Sequence, residues 1–298
     1  MREIITPMTM TGKDVSLSQY PNPAGSFVFL ITLKRGHAPT NLLALYVAAA
    51  MVASMFHRNL VIAAGHLILL TAILVLREKD FSEWLPWIAL PFLYWAVPAS
   101  LFGPMHDATV QSWDFTLFHS QPARDWAAAI HSRPLSEILH LAYLSYYLVI
   151  YLPPVAFLFI LRDERGFSEL TLAFTFAMVL SFVGFALFPV QGPRYEWGPS
   201  ATVPVGPLRS FTLFLLERGS AHGTAFPSSH VAIAFAQTFS TLGRHWALGF
   251  WVGVTTVLLS VGAVYSGFHY ATDVLAGMLV GIFAFMAAGT LARRALNS

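Results

Sequence analysis

An all-α, polytopic membrane protein is the fold class that this sequence predicts, and three observations predict it. Of 298 residues, 56% are hydrophobic and 11% are Asp, Glu, Lys or Arg, where a soluble domain carries roughly 25% charged residues. A water-soluble globule of this composition has too little polar surface to cover itself. The apolar residues fall into long runs divided by brief charged clusters, the pattern of membrane-spanning helices and their loops. Lys and Arg are also distributed unequally over alternate loops, as cytoplasmic retention of positive charge requires. The same inventory removes whole classes of function. Cys is absent, so disulfides, thiolate zinc sites, iron–sulfur clusters and Cys nucleophiles are excluded, and covalent chemistry falls to His, Ser, Asp, Glu, Lys or Tyr. A net charge of +2, with the basic residues scattered and not striped, argues against a nucleic-acid partner.

Residues 1–36 mix Lys13, Asp14, Lys34 and Arg35 with Pro21, Pro23 and Gly25. No short apolar run with a cleavage site follows Met1, so this stretch reads as a cytoplasmic tail and not a signal peptide. About eight apolar spans follow, at 40–56, 60–76, 84–103, 136–161, 168–190, 227–242, 246–265 and 271–292. The first two are joined only by His57, Arg58 and Asn59, which makes residues 37–80 a transmembrane hairpin and 81–298 a membrane-embedded domain. Two connections are too long to be turns. The stretch 104–135, with Trp113, Asp114, Phe118, Pro122, Trp126 and Pro134, suits an interfacial or re-entrant helix. The stretch 191–226 is a loop rich in Pro and Gly. No internal repeat of the transporter kind and no low-complexity tract is present.

Orientation follows from the cations. With the amino terminus inside, the cytoplasmic set is Arg2, Lys13, Lys34, Arg35, Arg77, Lys79, Arg162, Arg165, Arg244, Arg293 and Arg294, which is eleven of the seventeen. Arg58, Arg124, Arg133, Arg194, Arg209 and Arg218 make up the external set. The count puts both termini in the cytoplasm and places 104–135, 191–226 and 266–270 outside.

Three local signals fall on this external face. They are Gln191-Gly192-Pro193-Arg194-Tyr195 after the fifth span, Phe226-Pro227-Ser228-Ser229-His230 opening the sixth, and His269-Tyr270-Ala271-Thr272-Asp273 opening the eighth. The sixth and eighth spans both run inward, so both are expected to present their amino termini, with unpaired N–H groups and a partial positive charge, to a phosphate. His269 and Asp273 are four apart and share a helical face, where the carboxylate fixes one ring N–H and leaves the other nitrogen to attack. His230 stands at matching depth as a proton donor. Arg194 offers a permanently charged, planar fork.

Pro227-Ser228-Ser229-His230 followed by His269-x3-Asp273, with Gly-Pro-Arg194 upstream, resembles the type-2 phosphatidic acid phosphatase superfamily. That family's pattern is Lys-x6-Arg-Pro, Pro-Ser-Gly-His and Ser-Arg-x5-His-x3-Asp. The resemblance covers roughly 180–290. It implies a six-helix phosphatase-like core and a phosphohistidine mechanism: His269 as nucleophile, Asp273 orienting it, His230 as acid and then base. Arg194, Ser228 and Ser229 would hold phosphate, with no metal or cofactor. The chain departs from the pattern at Leu187, where the family has Lys, at Tyr195 in place of Pro, and at Gly262-Ala263 in place of Ser-Arg. These departures, with Trp113-Asp114-Phe115 and Tyr143 through Leu148, resemble the branch of inositol phosphorylceramide synthases and their bacterial relatives.

The resemblance therefore implies a phosphotransferase of lipid and sphingolipid metabolism. Its partners would be a phospholipid donor and a lipid alcohol or water as acceptor. A lipid phosphate phosphatase acting on phosphatidic acid or a prenyl diphosphate is the alternative, and a non-catalytic transporter or scaffold a more distant one. Further candidates are Arg209 and Arg218 as replacements for the missing cations, Asp114 as a loop cap or headgroup contact, and Tyr147, with Tyr143 and Tyr146, at a lipid access. Glu137 and His140 read as a polar clamp between helices. His57, His66, His106, His119, His131, His222 and His245 read as packing or headgroup residues.

Overall fold

The computed structural model describes residues 37–297, and the expected tail 1–36, with Arg2, Lys13, Lys34 and Arg35, lies outside the described residues. Among the described residues the chain is helical throughout. Its helices are α1 (Ala38–Phe56), α2 (Leu60–Leu76), α3 (Leu85–Ala96), α4 (Asp107–Phe118), α5 (Pro122–Ala129), α6 (Arg133–Leu144), α7 (Tyr146–Val155), α8 (Glu164–Leu187), the single turn α9 (Pro193–Glu196), α10 (Pro207–Gly219), α11 (Ser229–Leu242), α12 (Trp246–Tyr265) and α13 (Ala271–Asn297). The sheet-like pairing among them is one parallel bridge, Val190 to Thr224.

Four of these helices, α1, α8, α12 and α13, are long and apolar enough to cross a membrane, and α6 with α7 makes a fifth if the bent pair is one span. The expected count of about eight spans is not confirmed, and several of the expected stretches are shorter or bent for identifiable reasons. The stretch 84–103 carries Pro86, Pro91 and Pro98 and becomes a twelve-residue helix flanked by tight turns at Ser82–Trp84 and Val97–Ser100. The stretch 136–161 bends by 41° at Ser145 and widens over Ala156–Ile160 after the Pro153-Pro154 pair removes two donors. Helix α11 has 14 residues, about 21 Å, against a hydrocarbon core of about 30 Å. It packs against α8, α12 and α13, and enclosed by protein it needs no lipid-spanning length. The single interfacial helix expected in 104–135 is two helices, because His119 turns into the left-handed region (φ +53°) and Pro122 restarts the chain.

Helices α1 and α2 form the expected hairpin. The Asn59 side chain accepts the Ile62 amide at 3.2 Å and caps α2, whose exposed Leu60, Val61, Ile68 and Val75 present an apolar outer face. The Leu43, Val47 and Ala50 stripe of α1 packs on the Phe174, Met178 and Phe182 side of α8.

The contact that matters for the site is α11 against α13. A Cβ added at Gly277 or Gly281 would stand 2.5 Å from the carbonyl oxygen of Ser228 or Ala232. Only glycine at these positions, four apart, lets the two backbones approach so closely. The two helix starts are thereby set side by side at one end of the molecule. The opposite end is tied by Arg244, which pairs with Asp163 at 3.1 Å and with Glu169 at 2.8 Å.

Candidate active site

Helices α11 and α13 begin together because the Ser228 amide donates to the Asp273 carbonyl at 3.0 Å. The chain reaches α13 through a tight turn in which the Phe268 and His269 amides both donate to the Ala263 carbonyl, at 2.9 and 3.1 Å. Ala263 is fully buried beneath that turn, so the place of the family's second Arg is filled by a side chain small enough to pack there. Leu187, in the place of the family's Lys, points outward at the end of α8 and is 66% exposed.

The His269 ring is held at both nitrogens. Nδ1 lies 3.3 Å from Asp273 Oδ2, and Nε2 lies 3.1 Å from the Ser228 hydroxyl. With Asp273 ionised, the network assigns the proton to Nδ1 and leaves Nε2 with its lone pair facing Ser228. Asp273 Oδ2 also accepts the Tyr270 amide at 2.8 Å. Burial lowers the His269 pKa to about 4; a hydrogen bond with the Ala225 carbonyl opposes this and the Arg194 charge adds to it. The imidazole is therefore neutral across the physiological range.

His230 stacks between Tyr143, at 5.3 Å, and Tyr146, at 4.2 Å, with its ring centroid 6.1 Å from that of His269. Arg194 completes the cavity that His230 and His269 line. It is brought there by Gly192, whose φ of +92° suits glycine and whose added Cβ would meet the Phe268 carbonyl at 3.3 Å. The arrangement provides a neutral ring nitrogen, a second imidazole facing it, and one guanidinium.

Several expectations are corrected here. The amino terminus of α13 is not open to a phosphate: Asp114 accepts the Ala271 amide at 3.1 Å and the Thr272 amide at 2.8 Å. Asp114 is thus a cap supplied by another helix, and it is fully buried. Arg209 does not fold over the site; its guanidinium donates to the Val203 and Ser200 carbonyls at 2.8 and 2.6 Å. Arg218 lies over the Phe214 ring at 3.8 Å and donates to the Phe214 carbonyl. Ser229 and Tyr147 do not line the cavity of His230 and His269 but an adjoining groove. Glu137 clamps across segments, accepting the Leu208 and Arg209 amides at the start of α10, while His140 Nδ1 stays within α6 at the Ser136 carbonyl.

Two residues escaped the sequence reading. Asp107 accepts the Gln191 and Gly192 amides at 2.9 and 2.8 Å, directly before Pro193-Arg194. Gln111 donates to the Tyr270 hydroxyl at 3.1 Å. A signal existed for Asp107, since it and Asp114 stand seven apart on one predicted helix. A signal existed for the glycine face of α13 as well, in the four-residue spacing of Gly277 and Gly281.

A family model described as the PAP2 superfamily matches residues 113–287, more than half of the chain. The chain belongs to the PAP2 superfamily. Among curated proteins, a PA-phosphatase related-family protein of Dictyostelium discoideum is 25% identical over 243 residues, which cover 68% of this chain and 44% of the relative. The chain thus spans less than half the length of that relative. No solved structure matches.

The depressed pKa of His269 gives a direct measurement. In histidine-labelled protein in micelles, the side-chain nitrogen signals of His269 should titrate near pH 4, below the ordinary 6.5, and Arg194→Gln should move the midpoint up. Because the unfolded chain takes up this proton first, the fold should lose stability as pH falls from 6.5 toward 4 and level off below that. A midpoint at or above 6.5 contradicts the buried, neutral ring.

Proposed function

We propose that the protein is a membrane lipid phosphotransferase of the inositol phosphorylceramide synthase-like branch, moving a phosphate-containing headgroup between lipids through a phosphohistidine on His269. The observation that carries this reading is the charge of the cavity. Among the described residues that line it, Arg194 is the only permanently charged side chain. A phosphomonoester carries about −1.5 to −2 near neutral pH, and a site for it calls for several fixed cations; a diester carries one negative charge and matches one guanidinium. The lipid nature of the substrate is supported by the largely apolar groove of about 320 Å³ that shares Tyr94, Tyr143, Leu216, Ser220 and His230 with the cavity and runs between Leu90, Tyr147, Ile150 and Leu215.

On this reading His269 Nε2 attacks phosphorus as the Ser228 hydroxyl turns to a phosphate oxygen. The bond to the leaving lipid oxygen breaks, and that oxygen takes a proton from His230. Asp273 compensates the imidazolium character that the P–N bond creates. In the second half His230 takes the proton of the acceptor hydroxyl, the acceptor oxygen attacks phosphorus, and the P–N bond breaks. Arg194 holds the non-bridging oxygens throughout. Water in the acceptor's place gives hydrolysis, which is the second reading and the one that the relative's description favours. By the distribution of Lys and Arg, the site faces the external leaflet and both termini are cytoplasmic.

His269→Ala should abolish turnover, His230→Ala should lower it by roughly 10²–10⁴-fold, and Asp273→Asn should leave a small residual rate. Wild-type turnover in His269→Ala removes the covalent scheme. Against a panel of phosphatidylinositol, phosphatidylglycerol, phosphatidylethanolamine, phosphatidic acid and a prenyl diphosphate, followed by mass spectrometry, a diester should be the fastest donor. Adding ceramide or diacylglycerol should divert product from hydrolysis to transfer. Faster release of phosphate from either monoester-type lipid selects the phosphatase reading. For orientation, Ser200→Cys in this Cys-free chain should react with an impermeant thiol reagent from outside; labelling only from the cytoplasmic side reverses the assigned leaflet.

A further inference from the structure

Helix α4 bears two buried carboxylates, Asp107 at 5% exposure and Asp114 at 0%. They stand two turns apart and so share a face. Each holds a different part of the site. Asp107 takes the Gln191 and Gly192 amides, with the Tyr270 hydroxyl at 3.1 Å. Asp114 takes the Ala271 amide together with the amide and hydroxyl of Thr272, the last at 2.8 Å. Arg194 follows the first pair of amides by two residues, and His269 precedes the second pair by two. The loop carrying the guanidinium and the turn carrying the imidazole are thus both bonded to one rigid helix, by charged acceptors that are stronger than neutral ones.

We propose that Asp107 and Asp114 are positioning residues, through which α4 fixes the separation of Arg194 and His269: Asp107 sets where the donor phosphate is held, and Asp114 sets where the nucleophile stands. The proposal rests on the roles given to Arg194 and His269 above. It has a signature that general structural support lacks, since the two carboxylates act on different kinetic parameters.

The test uses the purified full chain in micelles and whichever lipid of the donor panel reacts fastest, monoester or diester. Asp107→Ala should raise the donor KM roughly tenfold with kcat within about threefold. Asp114→Ala should lower kcat roughly 10²-fold, the cost of a misplaced reacting group, with KM near the wild-type value. Asp107→Asn and Asp114→Asn keep one carbonyl acceptor and should recover part of each loss. Simple loss of folded protein lowers kcat in both variants and leaves KM alone. That pattern, wild-type behaviour in both, or the reverse assignment of KM and kcat overturns the proposal. Where an Ala chain fails to fold or to turn over, the matching Asn chain decides by the same split. Activity surviving in His269→Ala removes the mechanism and this proposal together. Loss of turnover in His269→Ala, combined with the wrong split, removes only the role of α4.

Discussion

Backbone N–H groups outside regular helix need acceptors, and where protein buries them away from water the chain must supply those acceptors itself. In this protein the acceptors include four carboxylates, three of them borne by other segments. Asp107 serves the loop before Arg194, Asp114 the start of α13, Glu137 the start of α10, and Asp273 the Tyr270 amide beside His269. A hydrogen bond to a charged group contributes about 1.5–3 kcal/mol, and an orphaned buried donor costs about as much. Removing one of these acids therefore both loses a bond and strands its donors. The loop before Arg194 and the start of α10 are held by these contacts.

The same contacts set the electrostatics of the cavity. A helix start contributes about half a positive charge, and two helix starts at the site would add the equivalent of one cation. At α13 that contribution is cancelled by Asp114, a full negative charge on the same amides. Among the described residues that line the cavity, the permanent positive charge that remains is the Arg194 guanidinium. The lost Lys and Arg of the family pattern are not made good from elsewhere, because Arg209 is engaged with loop carbonyls and Arg218 lies on an aromatic ring. Capping and substrate charge are one problem here: the carboxylates that shape the loops also lower the number of negative charges the site can neutralise.

How much of this was legible in the sequence depends on the range of the interaction. The helical membrane class follows from local composition, and the structure agrees with it. The His269 and Asp273 pairing follows from a spacing of four within one turn. Much of what was not legible depends on contacts between residues that no periodicity or motif spacing links. Helices α3 and α11 fall short of the expected span length, α3 because its prolines interrupt an otherwise apolar run and α11 because a helix enclosed by protein can be short. The availability of the α13 start was misread because its cap comes from a residue 157 positions upstream. Arg209 looked free because nothing local announces that its partners are the carbonyls of 200 and 203. Pairing of this kind needs the fold, whereas periodicity and motif spacing do not.

His230 occupies the seam between two environments, and that placement bears on the choice between transfer and hydrolysis. The His230 side chain lines both the cavity with Arg194 and His269 and the groove with Tyr146, Tyr147 and Ile150. A base in that position meets an acceptor hydroxyl arriving from the lipid side before it meets one arriving from water. A lipid alcohol whose chain fills the groove brings its hydroxyl to the imidazole at high effective concentration and, by filling it, displaces water from the approach. On the proposed mechanism, an empty groove leaves the phosphohistidine to whatever water reaches the polar side, so that transfer and hydrolysis would be two outcomes of one intermediate and the occupancy of the groove would select between them.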